Sequence, residues 1–128
     1  MSGDGSGLVG LAEIRDAARG LEGVAVRTPL IGVARLEPPL LVKPESLQPT
    51  GSFKLRGAYT AIMASERAAR QHGVVAHSSG NHGHAVAYAA ALLGVRAVVV
   101  VPRTAPATPR RSKSPTGPKP RSCCSRAR

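Results

Sequence analysis

Apolar positions recur at helical spacing near the start of the chain. Leu11, Ile14, Ala18 and Leu21 share one face of a predicted helix over Leu8 to Leu21, with Ser6 placed to cap it and Gly23 just past its end. Thr28-Pro29-Leu30 reads as extended, because a residue before proline avoids the helical region. Leu40-Leu41-Val42 predicts a short buried strand between Pro38-Pro39 and Pro44. Residues 44–52 form a polar loop containing Pro44, Pro49 and Gly51. Helical periodicity resumes near Phe53: Leu55, Ala58, Ile62 and Ala69 lie roughly on one face, and Gly73 ends the element.

The second half of the pattern is simpler. Val74-Val75-Ala76 predicts a strand, Asn81 to Leu93 an alanine-rich helix stopped by Gly94, and Arg96 to Val101 another strand. The continuous apolar run Val98 to Val101 suits a parallel strand covered on both faces. Strand, helix, strand, helix, strand with short connections predicts a βαβαβ unit, hence an α/β fold with a parallel layer.

After Val101 the composition changes. Residues 102–128 hold 6 of the 11 prolines, 8 of the 18 Lys/Arg and no acid. Low hydrophobicity with high charge does not bury enough surface to offset a chain entropy of ~1–2 kcal/mol per residue, so this tail is predicted to be disordered. The net charge of +11 therefore belongs largely to the tail: residues 1–101 carry ten Lys/Arg against all seven acids, a net of +3. The tail lacks aromatic residues for stacking on bases, so only nonspecific, salt-dependent nucleic-acid binding is expected of it. The adjacent Cys123 and Cys124 match no disulfide or zinc spacing. Met1 to Gly7 has no signal-peptide pattern, and the apolar run Ala85 to Leu93 is shorter than the ~20 residues of a membrane span. A soluble, cytoplasmic protein is expected.

Two stretches carry candidate chemistry. Thr50-Gly51-Ser52-Phe53-Lys54-Leu55-Arg56-Gly57-Ala58 places a lysine after a Gly-Ser turn at a helix start. An amine attacks a carbonyl only when neutral, and an ordinary lysine has a pKa of ~10.4. A helix start disfavours positive charge by only ~0.3–1 kcal/mol. That is under one pKa unit, so burial or the bound imine must supply most of the activation. Ser78-Ser79-Gly80-Asn81-His82-Gly83 joins a strand to a helix, where hydroxyls and free backbone N–H groups bind a carboxylate or phosphate. The same residues also suit an ordinary helix cap through Ser79 or Asn81. His72, His77, His82 and His84 have no nearby carboxylate, and His82 and His84 lie two apart on a helix, so no metal site is expected.

The segment Lys43-Pro44-Glu45-Ser46-Leu47-Gln48-Pro49-Thr50-Gly51-Ser52-Phe53-Lys54-Leu55-Arg56-Gly57-Ala58 resembles the cofactor-lysine segment of the serine/threonine dehydratases, pyridoxal 5′-phosphate enzymes of fold type II related to serine racemase. His77 to Gly83 resembles their substrate loop, and Arg27-Thr28-Pro29-Leu30 and Val100-Val101-Pro102 also fit. The resemblance covers residues 8–108. It implies a partial tryptophan synthase beta-like fold, with 1–108 the N-terminal part of a dehydratase.

The resemblance also implies roles. Lys54 would hold the cofactor as an imine and, once freed, act as the base at Cα. Phe53 would pack against the cofactor ring, and Asn81 would bond its phenolic oxygen. Ser78, Ser79, Gly80, Asn81 and His82 would bind the substrate carboxylate. Ser79 matches the opposite-face acid/base of the racemase. The implied reaction is α,β-elimination of L-serine or L-threonine to a 2-oxo acid and ammonia; racemisation or a noncatalytic remnant with a basic tail are the alternatives. Leu55, where relatives acting on activated serine carry an acid, favours the dehydratase/racemase branch. Family members are usually homo-oligomers.

The glycine-rich loop that cradles the cofactor phosphate is absent from this sequence, so an inactive fragment is expected. Beyond residue 108 the family continues with a helix, then Gly-Ala and an apolar strand. Here the frame shifted by one base restores that pattern. The Cys123–Cys124 codon junction then encodes leucine, and Pro115 to Lys119 becomes compatible with Asp-Gly-Ala-Glu. Residues 109–128 are therefore expected to be a frameshift product forming a disordered basic tail.

Overall fold

The computed structural model describes residues 8–34, 38, 40–103 and 123–126, the last four by backbone only. Helix α1 spans Leu11–Gly20, starting three residues later than its apolar pattern. Gly10 is its N-cap residue, and the Gly10 N–H donates to the Glu13 carboxylate at 2.6 Å. The expected cap, Ser6, lies outside the described residues. Leu11 and Ile14 remain exposed, and only Leu21, just past the helix, is buried.

Strands β1 (Ile31–Val33) and β2 (Leu40–Val42) form a two-stranded antiparallel sheet with Ile31 opposite Val42. This corrects two expectations. Leu40–Val42 does not join the parallel layer, and it is not buried: Leu41 is 63% exposed. A three-residue apolar run does not distinguish a core strand from a hairpin arm. The hairpin partner, Ile31–Val33, was hidden behind the Thr28-Pro29 signal.

Helix α2 (Lys54–Ala64) and helix α3 (Arg67–His72) replace the single helix expected from Phe53 to Gly73. The break is at Ser65 and Glu66, whose ψ values of 145° and 149° are extended. Ser65 Oγ donates back to the Ala61 carbonyl at 2.9 Å, the local competition that makes serine a poor interior helix residue. Arg70 Nη1 donates to the Met63 carbonyl at 2.8 Å, satisfying a carbonyl near the end of α2.

Strand β3 (Val74–His77), helix α4 (Asn81–Leu92) and strand β4 (Ala97–Val101) form the expected βαβ unit, with β3 parallel to β4 and Ala76 opposite Val99. The core lies between α2, α4 and this sheet. Leu55, Ala58 and Ile62 of α2 cluster with Ala85, Val86, Ala89 and Ala90 of α4 and with Ala76 and Ala97 of the strands. Small side chains let the two helices pack closely, which explains how a chain with 2% aromatics still closes a core.

Cys123–Arg126 is strand β5, parallel to β4, with Val99 opposite Cys124. The segment was expected to lack structure. An open strand edge offers a row of unpaired N–H and C=O groups, and a proline-free stretch is able to meet it. The rest of the tail, 104–122 and 127–128, lies outside the described residues. Among the described residues no helix is long and apolar enough to cross a membrane.

Candidate active site

Lys54 is the first residue of α2, and Phe53 immediately precedes it. The chain reaches this point through a tight turn: Gly51 N–H donates to the Gln48 carbonyl at 2.7 Å, and Gly51 has φ of 72°, a conformation that glycine adopts without a Cβ penalty. The two side chains after the turn face outward. Lys54 is exposed, with Nζ 4.7 Å from the centroid of the Phe53 ring, and Phe53 is 57% exposed. A cation over an aromatic face is mildly attracted to it. Ser52, on the same turn, is buried, and among the described residues its Oγ has no hydrogen-bond partner.

The second candidate segment follows the carboxyl end of β3. Ser78 N–H donates to the Val100 carbonyl at 3.0 Å, carrying the β3–β4 pairing one residue further. Gly80 N–H donates to Ser78 Oγ at 3.2 Å. Gly80 is the N-cap residue of α4, and no side chain caps this helix. The capping role that Ser79 or Asn81 offered in the sequence is therefore not taken up. Ser79, Gly80, Asn81 and His82 are exposed, whereas Ser78 is half-buried. A Cβ at Gly80 would meet no atom within 4 Å, so the turn is open on that side. His84 is half-buried, and among the described residues neither of its ring nitrogens has a hydrogen-bond partner.

The core joins the two segments. Leu55, next to Lys54, and Ala85, four residues after Asn81, are fully buried in one cluster. Each segment thus sits at the N-terminal end of a helix, and the two helices pack on each other.

Sequence reasoning missed a polar network behind Lys54. Arg56 donates from Nε to Glu45 Oε2 at 2.8 Å and from Nη2 to Glu45 Oε1 at 2.9 Å. Nη2 also donates to the Val26 carbonyl at 2.8 Å. Thr28 Oγ1 donates to Glu45 Oε1 at 2.6 Å, and Gln48 Nε2 to Glu45 Oε2 at 3.1 Å. The Gln48 amide also bonds both backbone groups of Val26, accepting from its N–H at 2.9 Å and donating to its C=O at 2.8 Å. Lys43 Nζ donates to the Thr28 carbonyl at 2.8 Å. The Arg56 fork holds the Glu45 carboxyl at a pKa of about 2 against an ordinary 4.5, opposed by partial burial and helped by Thr28 and Gln48. The same pairing raises Arg56. The available signal was a lone Glu in a proline-flanked loop, where a partly buried carboxylate requires a donor set.

A family profile described as "Pyridoxal-phosphate dependent enzyme" matches residues 21–115. The chain is 46% identical over 99 residues to an L-threo-3-hydroxyaspartate ammonia-lyase of Pseudomonas sp, covering 74% of this chain and 31% of the relative. It is 43% identical over 103 residues to an L-threonine ammonia-lyase of Thermotoga maritima, covering 77% and 26%. Its structure resembles the crystal structure of serine racemase from Dictyostelium discoideum, with a TM-score of 0.72, 41% identity and coverage of 77% and 34%. The chain thus spans about a third or less of the length of these relatives.

Proposed function

Because the chain belongs to the family of pyridoxal-phosphate dependent enzymes, we propose that it is the N-terminal part of a serine/threonine ammonia-lyase, with Lys54 as the cofactor lysine. The observation that carries this reading is the open turn Ser78–Gly80, which leads from the carboxyl end of a parallel strand into a helix start without a side-chain cap. In parallel α/β sheets ligands bind outside the carboxyl ends of the strands, and a helix start attracts carboxylates.

The residues present fit the cofactor at two points. Lys54 is exposed beside the exposed face of Phe53, and the buried Ser52 hydroxyl on the same turn is unpaired among the described residues. Pyridoxal phosphate, when bound, supplies an electron sink for the charge developed at the substrate Cα. The chain's own residues do the rest. Lys54 would hold the cofactor through Nζ and would serve as the base for the proton at the substrate Cα. Phe53 would pack against the cofactor ring, and Asn81 would hydrogen-bond its phenolic oxygen. Ser78, Ser79, Gly80, Asn81 and His82 hold the substrate carboxylate, assisted by the first N–H groups of α4.

The test is to add pyridoxal phosphate to the purified chain, reduce with borohydride and map the adduct by mass spectrometry. Weak but specific labelling of Lys54 is expected, and its absence rejects cofactor binding by this chain, though not its descent. Adding serine or threonine and assaying 2-oxo acid then separates binding from turnover. The exposed Ser79 keeps a racemase reading open, which D-serine formation by a longer chain would establish.

A further inference from the structure

We infer that Glu45, Gln48 and Arg56 form a clasp that positions Lys54, with Arg56 setting the direction in which the lysine points. The inference rests on the reading of Lys54 as the cofactor lysine.

The turn that carries Lys54 has few bonds of its own. Besides the Gly51–Gln48 bond, the Arg56 N–H donates to the Phe53 carbonyl at 3.1 Å, and Thr50 Oγ1 makes a long 3.4 Å contact to the Ser52 carbonyl. Its two ends are held instead. On the N-terminal side, Gln48 is buried and bonds both backbone groups of Val26. On the C-terminal side, Arg56 bonds both oxygens of Glu45 and the Val26 carbonyl. Val26 C=O is thus shared by the two ends, and the segment from Gln48 to Arg56 is closed into a ring by side chains.

Helical geometry converts this closure into aim. Successive residues turn by ~100°, so Lys54 and Arg56 lie ~200° apart around α2 and Leu55 lies between them. Leu55 is 0% exposed in the core, and Arg56 is tied to Val26 and Glu45. Two of three consecutive directions are occupied, and the remaining one, exposed, belongs to Lys54. Three donors from one planar guanidinium define an orientation that a single ammonium does not.

Arg56→Lys tests this on the full 128-residue chain, because it keeps the charge opposite Glu45 and removes the fork. The melting midpoint should fall only slightly, because the fork is lost but the charge opposite Glu45 is kept. Amide exchange across 48–55 should become about tenfold faster, as expected for loss of a charge-assisted bond, with the core of α4 unaffected. Borohydride-trapped pyridoxal phosphate should lose its selectivity for Lys54 over the tail lysines Lys113 and Lys119. Glu45→Gln, which keeps acceptor and shape, should show a smaller change of the same kind. Unchanged exchange and unchanged selectivity in Arg56→Lys would overturn the inference. So would an acceleration spread evenly over the chain, which would mark the pair as a general stabiliser. Local acceleration without Lys54 labelling in the parent would support the clasp and reject the cofactor reading.

Discussion

Gly83 packs against Ser78 so closely that a Cβ on Gly83 would lie 2.9 Å from the Ser78 carbonyl oxygen and 2.9 Å from Val99 Cγ1. The first turn of α4 is therefore seated directly on the backbone of the candidate anion turn. Gly83→Ala should destabilise the chain by about 1–3 kcal/mol, the usual cost of forcing volume into a packed site. Urea denaturation measures it. A midpoint equal to the parent's would mean that the helix start has room to shift.

Acid should loosen the network behind Lys54. The Glu45 carboxyl is lowered from 4.5 to about 2, chiefly by its hydrogen bonds from Arg56. A depressed carboxyl stabilises the fold fully above its unfolded value, and that contribution is lost as pH falls from about 4.5 towards 2. The acid limb of a stability profile should be shallower in Glu45→Gln than in the parent. Parallel limbs would show that this carboxylate does not contribute.

Leu55 joins the lysine segment to the core. It is fully buried in a cluster made largely of alanines, which have little side chain to move into a gap. Leu55→Ala should cost about 2–5 kcal/mol, read from the shift of the denaturation midpoint.

Lys54 is exposed and outside the core, so Lys54→Ala should change stability by no more than about 0.5 kcal/mol. The same variant should lose the reducible pyridoxal phosphate adduct. Adduct retained at full yield would place the reactive amine elsewhere.

The origin of the tail is testable on the coding DNA. If residues 109–128 arise from a shifted frame, the frame one base over should continue past this stretch and encode an apolar strand over the Cys123–Ser125 codons. A stop codon within that frame would sink the proposal.

Much of the architecture was legible in the residue order. The run Val74 to Val101 produced β3, α4 and β4 within a residue or two of expectation. Local signals sufficed there: an apolar strand, a Ser-Gly turn, an alanine-rich helix and Gly94 with φ of 65°. The lysine and serine-glycine segments were legible for the same reason, since turn chemistry is written in adjacent residues. Tertiary structure alone decided the rest. It paired Leu40–Val42 with Ile31–Val33 instead of the central sheet, because strand partners are chosen by nonlocal packing that a three-residue run does not encode. It broke the long helix at Ser65, where a hydroxyl and Arg70 satisfied the freed carbonyls. It also brought Val26, Glu45 and Arg56 together across 30 residues, closing a charged network whose members show no periodicity in sequence. The sequence by itself determined which residues hold the candidate chemistry. The direction in which Lys54 points was decided only when the chain folded, because that direction depends on bonds made by its neighbours to distant backbone.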